Sequence, residues 1–301
     1  MARDYDSVVS EVSSRLRLDS SATTLVEGWV NDVIQDVHGR HDWFWTLDRQ
    51  IVQTVIDKTA GTVDVSAAGT AVTGASTAFA AADVGKFIQF SGSNDWYKIT
   101  AVASATSLTI EAGYNGTSAL SAGTYTIRKI FYALPDAEKI LGAKQAQTSR
   151  ELVCINHRDF DTYLTFSDST GKGTLFAVYG TDSDGVLQFN IHPHADAAYN
   201  IEVKYKKKAT QSSVTLMPEK WRGVYIDGAM VRGLEYLSIG NDELMKSSSV
   251  RDKKADYERG ISRMLADAEP ESDYRAVLAN NDAPNTFLGN NLPTGLSIPL
   301  D

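Results

Sequence analysis

Apolar positions near the start of the chain recur at helical spacing. Within 7–17, Val8, Val12 and Leu16 fall four apart on one face. Within 24–38, Leu25, Trp29 and Val33 form one stripe, and Val26, Val30 and Ile34 form its neighbour. Ser20 or Ser21 offers an N-cap for the second helix, and the short link around Asp19 makes the pair an αα-hairpin. His41-Asp42-Trp43-Phe44-Trp45 follows. Three consecutive aromatics cannot all face one side, so one ring is expected in a core and another near an interface.

From Asp57 to Arg128 the chain becomes rich in Ala, Gly, Thr and Ser. Short β-like runs recur between turn residues: 62–65, 86–90, 96–102, 107–110 and 124–127. Asn115-Gly116 carries the signature of a tight turn. This spacing predicts a small all-β barrel or sandwich, inserted at 57–128 into a discontinuous core domain of 1–56 and 129–280.

Beyond the insert, Tyr132–Asp136 ends a strand at a turn or short helix. A strand is expected at 151–155 and a short helix at 159–166, carrying Phe160, Tyr163 and Leu164. Runs at 174–179, 186–191 and 200–206 predict an antiparallel β-meander with Asp184-Gly185 in its first turn. Lys206-Lys207-Lys208 closes the last strand as a solvated end that discourages edge pairing, or as a patch facing an acidic partner. A helix opens at Pro218, with Trp221, Val224, Tyr225, Gly228, Ala229, Leu234 and Leu237 on its apolar face and Gly240-Asn241 as its stop. A second spans 242–267 with Leu244, Tyr257, Ile261, Met264 and Leu265. From Asn280 on, proline, glycine and asparagine exclude a helix, and 281–301 is expected to be an extended C-terminal arm. The predicted class is α+β: a helical bundle of the N-terminal hairpin and the two late helices, packed with the meander, plus the inserted β-module and the arm.

The net charge of -9 opposes tight binding to nucleic acid, which needs a basic surface. The single cysteine, Cys154, rules out an intrachain disulfide; its apolar run LVCI suggests an inert buried thiol. No signal peptide or membrane-spanning run is read from the sequence, so the chain is expected to be soluble, made in a cytoplasm and free of membrane.

Candidate chemistry fails motif by motif. Gly171-Lys172-Gly173-Thr174 has Phe166 where a phosphate loop needs its first glycine. Asp182-Ser183-Asp184-Gly185 opens like a calcium loop, but Val186 stands at the fifth position and no glutamate closes it. His192-Pro193-His194 has no metal-ligand partners at suitable spacing and reads as a strand end. Cys154 and His157 have no defined mutual geometry. Asn115-Gly116-Thr117 matches a glycosylation acceptor without a secretory signal. No catalytic residue, cofactor or metal is therefore expected.

The order of elements resembles the head-to-tail adaptor family of tailed phages, which includes the tail tubular protein A type. The features are a helix pair ending in Trp43-Phe44-Trp45, then Tyr132-Ala133-Leu134-Pro135, then Asp159-Phe160-Asp161-Thr162-Tyr163. A meander ending near His192-Pro193-His194 follows, and Met217-Pro218-Glu219-Lys220-Trp221 opens the late helices. The resemblance covers roughly residues 5–50 and 130–268. The insert, with Asp83-Val84-Gly85-Lys86-Phe87-Ile88 and Tyr97-Lys98-Ile99, is similar to small β-modules of phage structural proteins.

The resemblance implies a structural virion protein of the phage neck, not an enzyme. It implies a homo-oligomeric ring, commonly twelve-fold, between the portal protein and a tail tube or nozzle component, with DNA passing through the lumen without specific binding. Trp43 and Trp45 are candidate interface aromatics. Phe287, Leu288, Leu292, Leu296, Ile298 and Leu300 are candidates for docking the arm on the portal or a neighbouring subunit. The alternative is a fibre or decoration protein whose β-module binds carbohydrate, with Trp96 or Tyr97 stacking on a sugar.

Overall fold

The computed structural model describes residues 4–163, 165–166, 169–211, 213–238 and 248–279. The protein is mixed α+β, with helices α1 (Tyr5–Leu16), α2 (Thr23–Arg40), α3 (His157–Tyr163), α4 (Ser213–Leu216), α5 (Arg222–Leu237) and α6 (Ser248–Ala279). Two compact units divide the chain: Met1–Leu47 with Lys208–Asp301, and Asp48–Lys207. Residues 129–207 thus belong with the 57–128 segment and not with the helices, unlike the division expected from composition. The reason is that the strands after residue 129 spend their apolar faces within their own unit.

In the helical unit, Asp4 caps α1 by accepting from the Ser7 amide, and Arg17 ends it in the left-handed region. Neither Ser20 nor Ser21 caps α2. Both lie in a 3-10 turn, Ser20–Ala22, whose own cap is the Asp19 carboxylate on the Ser21 amide. The buried face of α2 runs through Val26, Trp29, Val30, Val33, Ile34 and Val37, while Leu25 is 44% exposed. Both expected stripes thus reach the core, through Trp29 and Val33 on one and Val26, Val30 and Ile34 on the other, and Leu25 alone turns outward.

On α5 the buried face includes Gly228 and Gly233, and Leu237 is exposed. A β-carbon at Gly228 would lie 2.7 Å from the Tyr257 ring and 2.9 Å from Val33. One at Gly233 would lie 2.6 Å from Leu16 and 2.9 Å from Trp29. The missing side chains let α5 approach its neighbours closely, and these helices share one apolar core. Pro218 stands before a 3-10 turn, Glu219–Trp221, and not at the first position of α5 itself. The Leu244 and Gly240-Asn241 positions, Tyr163 beyond its backbone, Leu164 and the 281–301 arm lie outside what the structure describes.

The other unit contains two seven-stranded sheets. The first comprises β1 (Leu47–Gln53), β9 (Phe131–Leu134), β10 (Ala137–Gln145), β11 (Glu151–Cys154), β12 (Leu175–Thr181), β13 (Leu187–His192) and β14 (Asn200–Lys207), in the order β1-β14-β10-β11-β12-β13-β9. The expected three-strand meander does not form. β12 and β13 make the hairpin around Gly185, but β14 crosses to pair with β10 while β13 pairs with β9, and β11 runs parallel to β12. The strand absent from the sequence prediction, β10, causes this. Placed near the middle of the sheet, it takes β14 as its antiparallel neighbour along nearly its whole length. β14 is thus no edge strand. Lys206 is buried and 3.7 Å from Glu138, and Lys207 pairs with Asp48 at 2.8 Å, so the lysine run is not a solvated strand end.

The second sheet comprises β2 (Thr62–Val65), β3 (Ala71–Ala75), β4 (Phe87–Phe90), β5 (Trp96–Ser104), β6 (Ser107–Ile110), β7 (Leu120–Gly123) and β8 (Tyr125–Arg128), in the order β7-β2-β3-β6-β5-β4-β8. Every recorded pairing is antiparallel, and one face encloses its own core of Val63, Val72, Ile88, Phe90, Ile99, Leu108 and Ile127. The sheet curls strongly: Lys58, just before β2, bridges to Ile127 on β8, and the Tyr125 hydroxyl donates to the Ala60 carbonyl at 2.6 Å. Asn115-Gly116 makes no hairpin turn. It sits in the loop between β6 and β7, where a β-carbon on Gly116 would meet the Tyr114 ring at 2.3 Å.

Candidate functional surfaces

The Trp43-Phe44-Trp45 run forms a ladder of rings from core to surface. Trp43 is fully buried and donates from Nε1 to the Val37 carbonyl at 2.7 Å. The Trp45 ring stacks on it, with centroids 5.0 Å apart and planes 11° off parallel, and His41 also meets Trp43 in an edge arrangement. Phe44 packs edge-on against Trp45 and is 63% exposed. The tight 3-10 turn Phe44–Thr46 forces this outward placement. The sequence named Trp43 and Trp45 as interface candidates. Trp43 is instead core, Trp45 is half-buried with no partner for its Nε1 among the described residues, and Phe44 is the outermost ring. The neighbouring α4 adds Leu216, also exposed.

In the β unit a second aromatic series links the two sheets. Trp96 stacks on Phe166 at 5.5 Å, Phe166 meets Phe87 at 5.9 Å, Phe87 meets Phe131 at 5.9 Å, and Phe131 meets Tyr179 at 4.7 Å. Phe166 and Tyr179 are each 45% exposed. Phe87 and Phe131 stand on the outward phase of strands whose inward residues are Ile88, Phe90, Tyr132 and Leu134. An aromatic out of phase with the core was the signal available in the sequence. Tyr97 is buried and donates no sugar platform, and the Trp96 ring is already engaged by Phe166 and by the Arg128 guanidinium at 4.9 Å.

The same unit holds a charged framework. Asp83 is wholly buried and accepts from Lys58 at 2.6 Å, from Lys86 at 2.7 Å and from the Ala80 amide at 3.0 Å. Burial alone would raise its carboxyl, but the lysine hydrogen bonds outweigh burial and hold it below the usual range. Arg128 grips Asp57 through Nε and a terminal nitrogen at 2.9 and 2.7 Å. His194 is pushed down to about 4, first by burial and then by Arg128. Its Nε2 lies 3.1 Å from the Thr165 carbonyl, which can only accept, so Nε2 carries the proton of a neutral ring.

The remaining candidate motifs resolve into local structure. The Asp182 carboxylate accepts from the Asp184 and Val186 amides, closing the β12–β13 turn. Lys172 lies over the Tyr199 ring. His192 ends β13. Cys154 is exposed, contrary to the expected buried thiol, although it shares the strand phase of buried Leu152. Among the described residues no group of three potential ligands could hold a metal ion, and no helix is long and apolar enough to cross a membrane. Phe287, Leu288, Leu292, Leu296, Ile298 and Leu300 lie outside the described residues. In comparison with known proteins, no family model and no curated sequence matches the chain.

Proposed function

We propose that this chain is a structural subunit of a tailed-phage virion, assembling as a ring adaptor between portal and tail through whose lumen DNA passes. In this reading the helices form the bundle of the adaptor core, residues 57–128 form its barrel-like module, and 281–301 is the arm that docks on the portal or a neighbouring copy. One observation carries the proposal: each of the two separately cored units presents large aromatics at its surface, Phe44 on one and Phe166 with Tyr179 on the other. A subunit with two different contact surfaces can touch two neighbours, the minimum for a closed ring. Exposed aromatics held rigidly by stacking are also the residues that dominate interface energetics. The charge of -9, repeated around a ring, disfavours adhesion of phosphate.

The test is direct visualisation. Purified full chain, alone and mixed with the portal protein of its phage, is sized by light scattering and imaged in negative stain. Rings with a central hole are expected, alone or on the portal. A species that stays monomeric in both conditions, or forms elongated trimers, would rule the adaptor reading out.

A further inference from the structure

On the outward face of the first sheet of the β unit, the side chain that would fill the middle is missing. Gly142 of β10 stands opposite Lys204 of β14, and a β-carbon there would meet nothing within 4 Å. The result is a cleft of about 360 Å³ across β1, β14, β10 and β11. Leu152 and Phe176 contribute apolar lining, and its charged rim carries three cations, Arg49, Lys144 and Lys204, against two carboxylates, Glu151 and Glu202. Glu202 is shared by Arg49 at 3.1 Å and Lys144 at 3.4 Å. Lys204 has no ion-pair partner among the described residues, so one half-buried ammonium remains uncompensated beside an open hollow.

We propose that this hollow is a contact between copies, in which a carboxylate side chain of a second copy seats beside Lys204. The proposal rests on the self-assembly reading above and supplies what that reading lacks. Copies that each carry -9 repel one another, and association needs a place where an acidic surface is attracted. A locally cationic cleft in an acidic protein meets that need.

Cys154, the sole cysteine, is exposed and lines the same cleft, so its alkylation by iodoacetamide reports occupancy. The rate is measured on full-length protein, dispersed and associated, for wild type, Lys204→Glu and Gly142→Leu, with thermal melts to verify folding. Wild-type Cys154 is expected to be protected severalfold on association at low salt and released by added salt. Both variants are expected to associate roughly tenfold more weakly, the scale of one charged contact. If assembled wild type alkylates as fast as dispersed protein, or the variants assemble normally, the hollow is not the contact although the ring reading survives. If wild type associates neither alone nor on the portal protein, both readings fall.

Discussion

The Tyr257 hydroxyl of α6 donates to the Asp36 carboxylate of α2 at 2.6 Å. Arg40 binds the same carboxylate, reaches Glu258 as well, and lies over the Tyr257 ring. Burial would raise Asp36, yet the hydrogen bonds from Arg40 and Tyr257 outweigh it and keep the carboxylate charged. Burial and Asp36 together drive the phenol far upward, so it remains a donor at every working pH. Tyr257→Phe keeps the packing and removes only this bond. A loss of about 1.5–3 kcal/mol is expected in urea unfolding, the range for hydrogen bonds to charged groups.

Asp83 holds two lysines in the β unit. Asp83→Asn leaves Lys58 and Lys86 without their shared counter-charge in a buried site and should cost about 3–5 kcal/mol. The carboxyl is depressed, so its contribution is present above the unfolded value near 4 and is lost as pH falls through the folded value. Equilibrium unfolding of the variant at neutral pH checks the first expectation. An unchanged midpoint would mean that the triad contributes little.

His194 gives a pH dependence of its own. Its folded value of about 4 lies below the ordinary 6.5, so folding favours the neutral ring. Stability is complete above 6.5, declines as pH falls from 6.5 towards 4, and levels off below, for a total near 3 kcal/mol. His194→Gln, which retains a donor for Thr165, should flatten that part of the profile. Unfolding measured across the window separates the two.

Trp29 and Leu25 sit on one predicted stripe but differ in the structure. Trp29→Ala should cost about 3–5 kcal/mol, because the ring packs where Gly233 makes room. Leu25→Ala should fall within about 0.5 kcal/mol of wild type. Comparable losses for both would restore the sequence-based face.

Phe44→Ser should leave the melting temperature essentially unchanged while weakening association, measured by light scattering across a dilution series. Normal assembly of this variant would remove Phe44 from the contact surfaces.

Much of the helical unit was legible because its signal is local. The fourfold spacing of Val8 and Val12, and of Val26 and Val30, survives into the core. Leu25 was misplaced because the facing surface of α5, set by Gly228 and Gly233, is invisible from α2 alone. β10 escaped notice for a similar reason. Its outward face is polar, Gly142 interrupts the alternation, and the ladder shifts register at 140–142. Without β10, the assignment of β14 could only follow sequence order. The out-of-phase aromatics could be seen singly, but their assembly could not, because Trp96, Phe87, Phe131 and Tyr179 stand on four different strands and Phe166 on none.

The ion pair between Asp48 and Lys207 joins the first and last residues of the β unit. The chain leaves the helical unit along β1 and re-enters it from β14, the adjacent strand. On a ribosome, α1 and α2 therefore emerge with Val8, Val12, Val26 and Val30 uncovered, and α5 and α6, which complete their core, appear only after all of Asp48–Lys207 has been made. The β unit can fold while this apolar surface waits. Nascent chains stalled before residue 222 are thus the species most dependent on a chaperone.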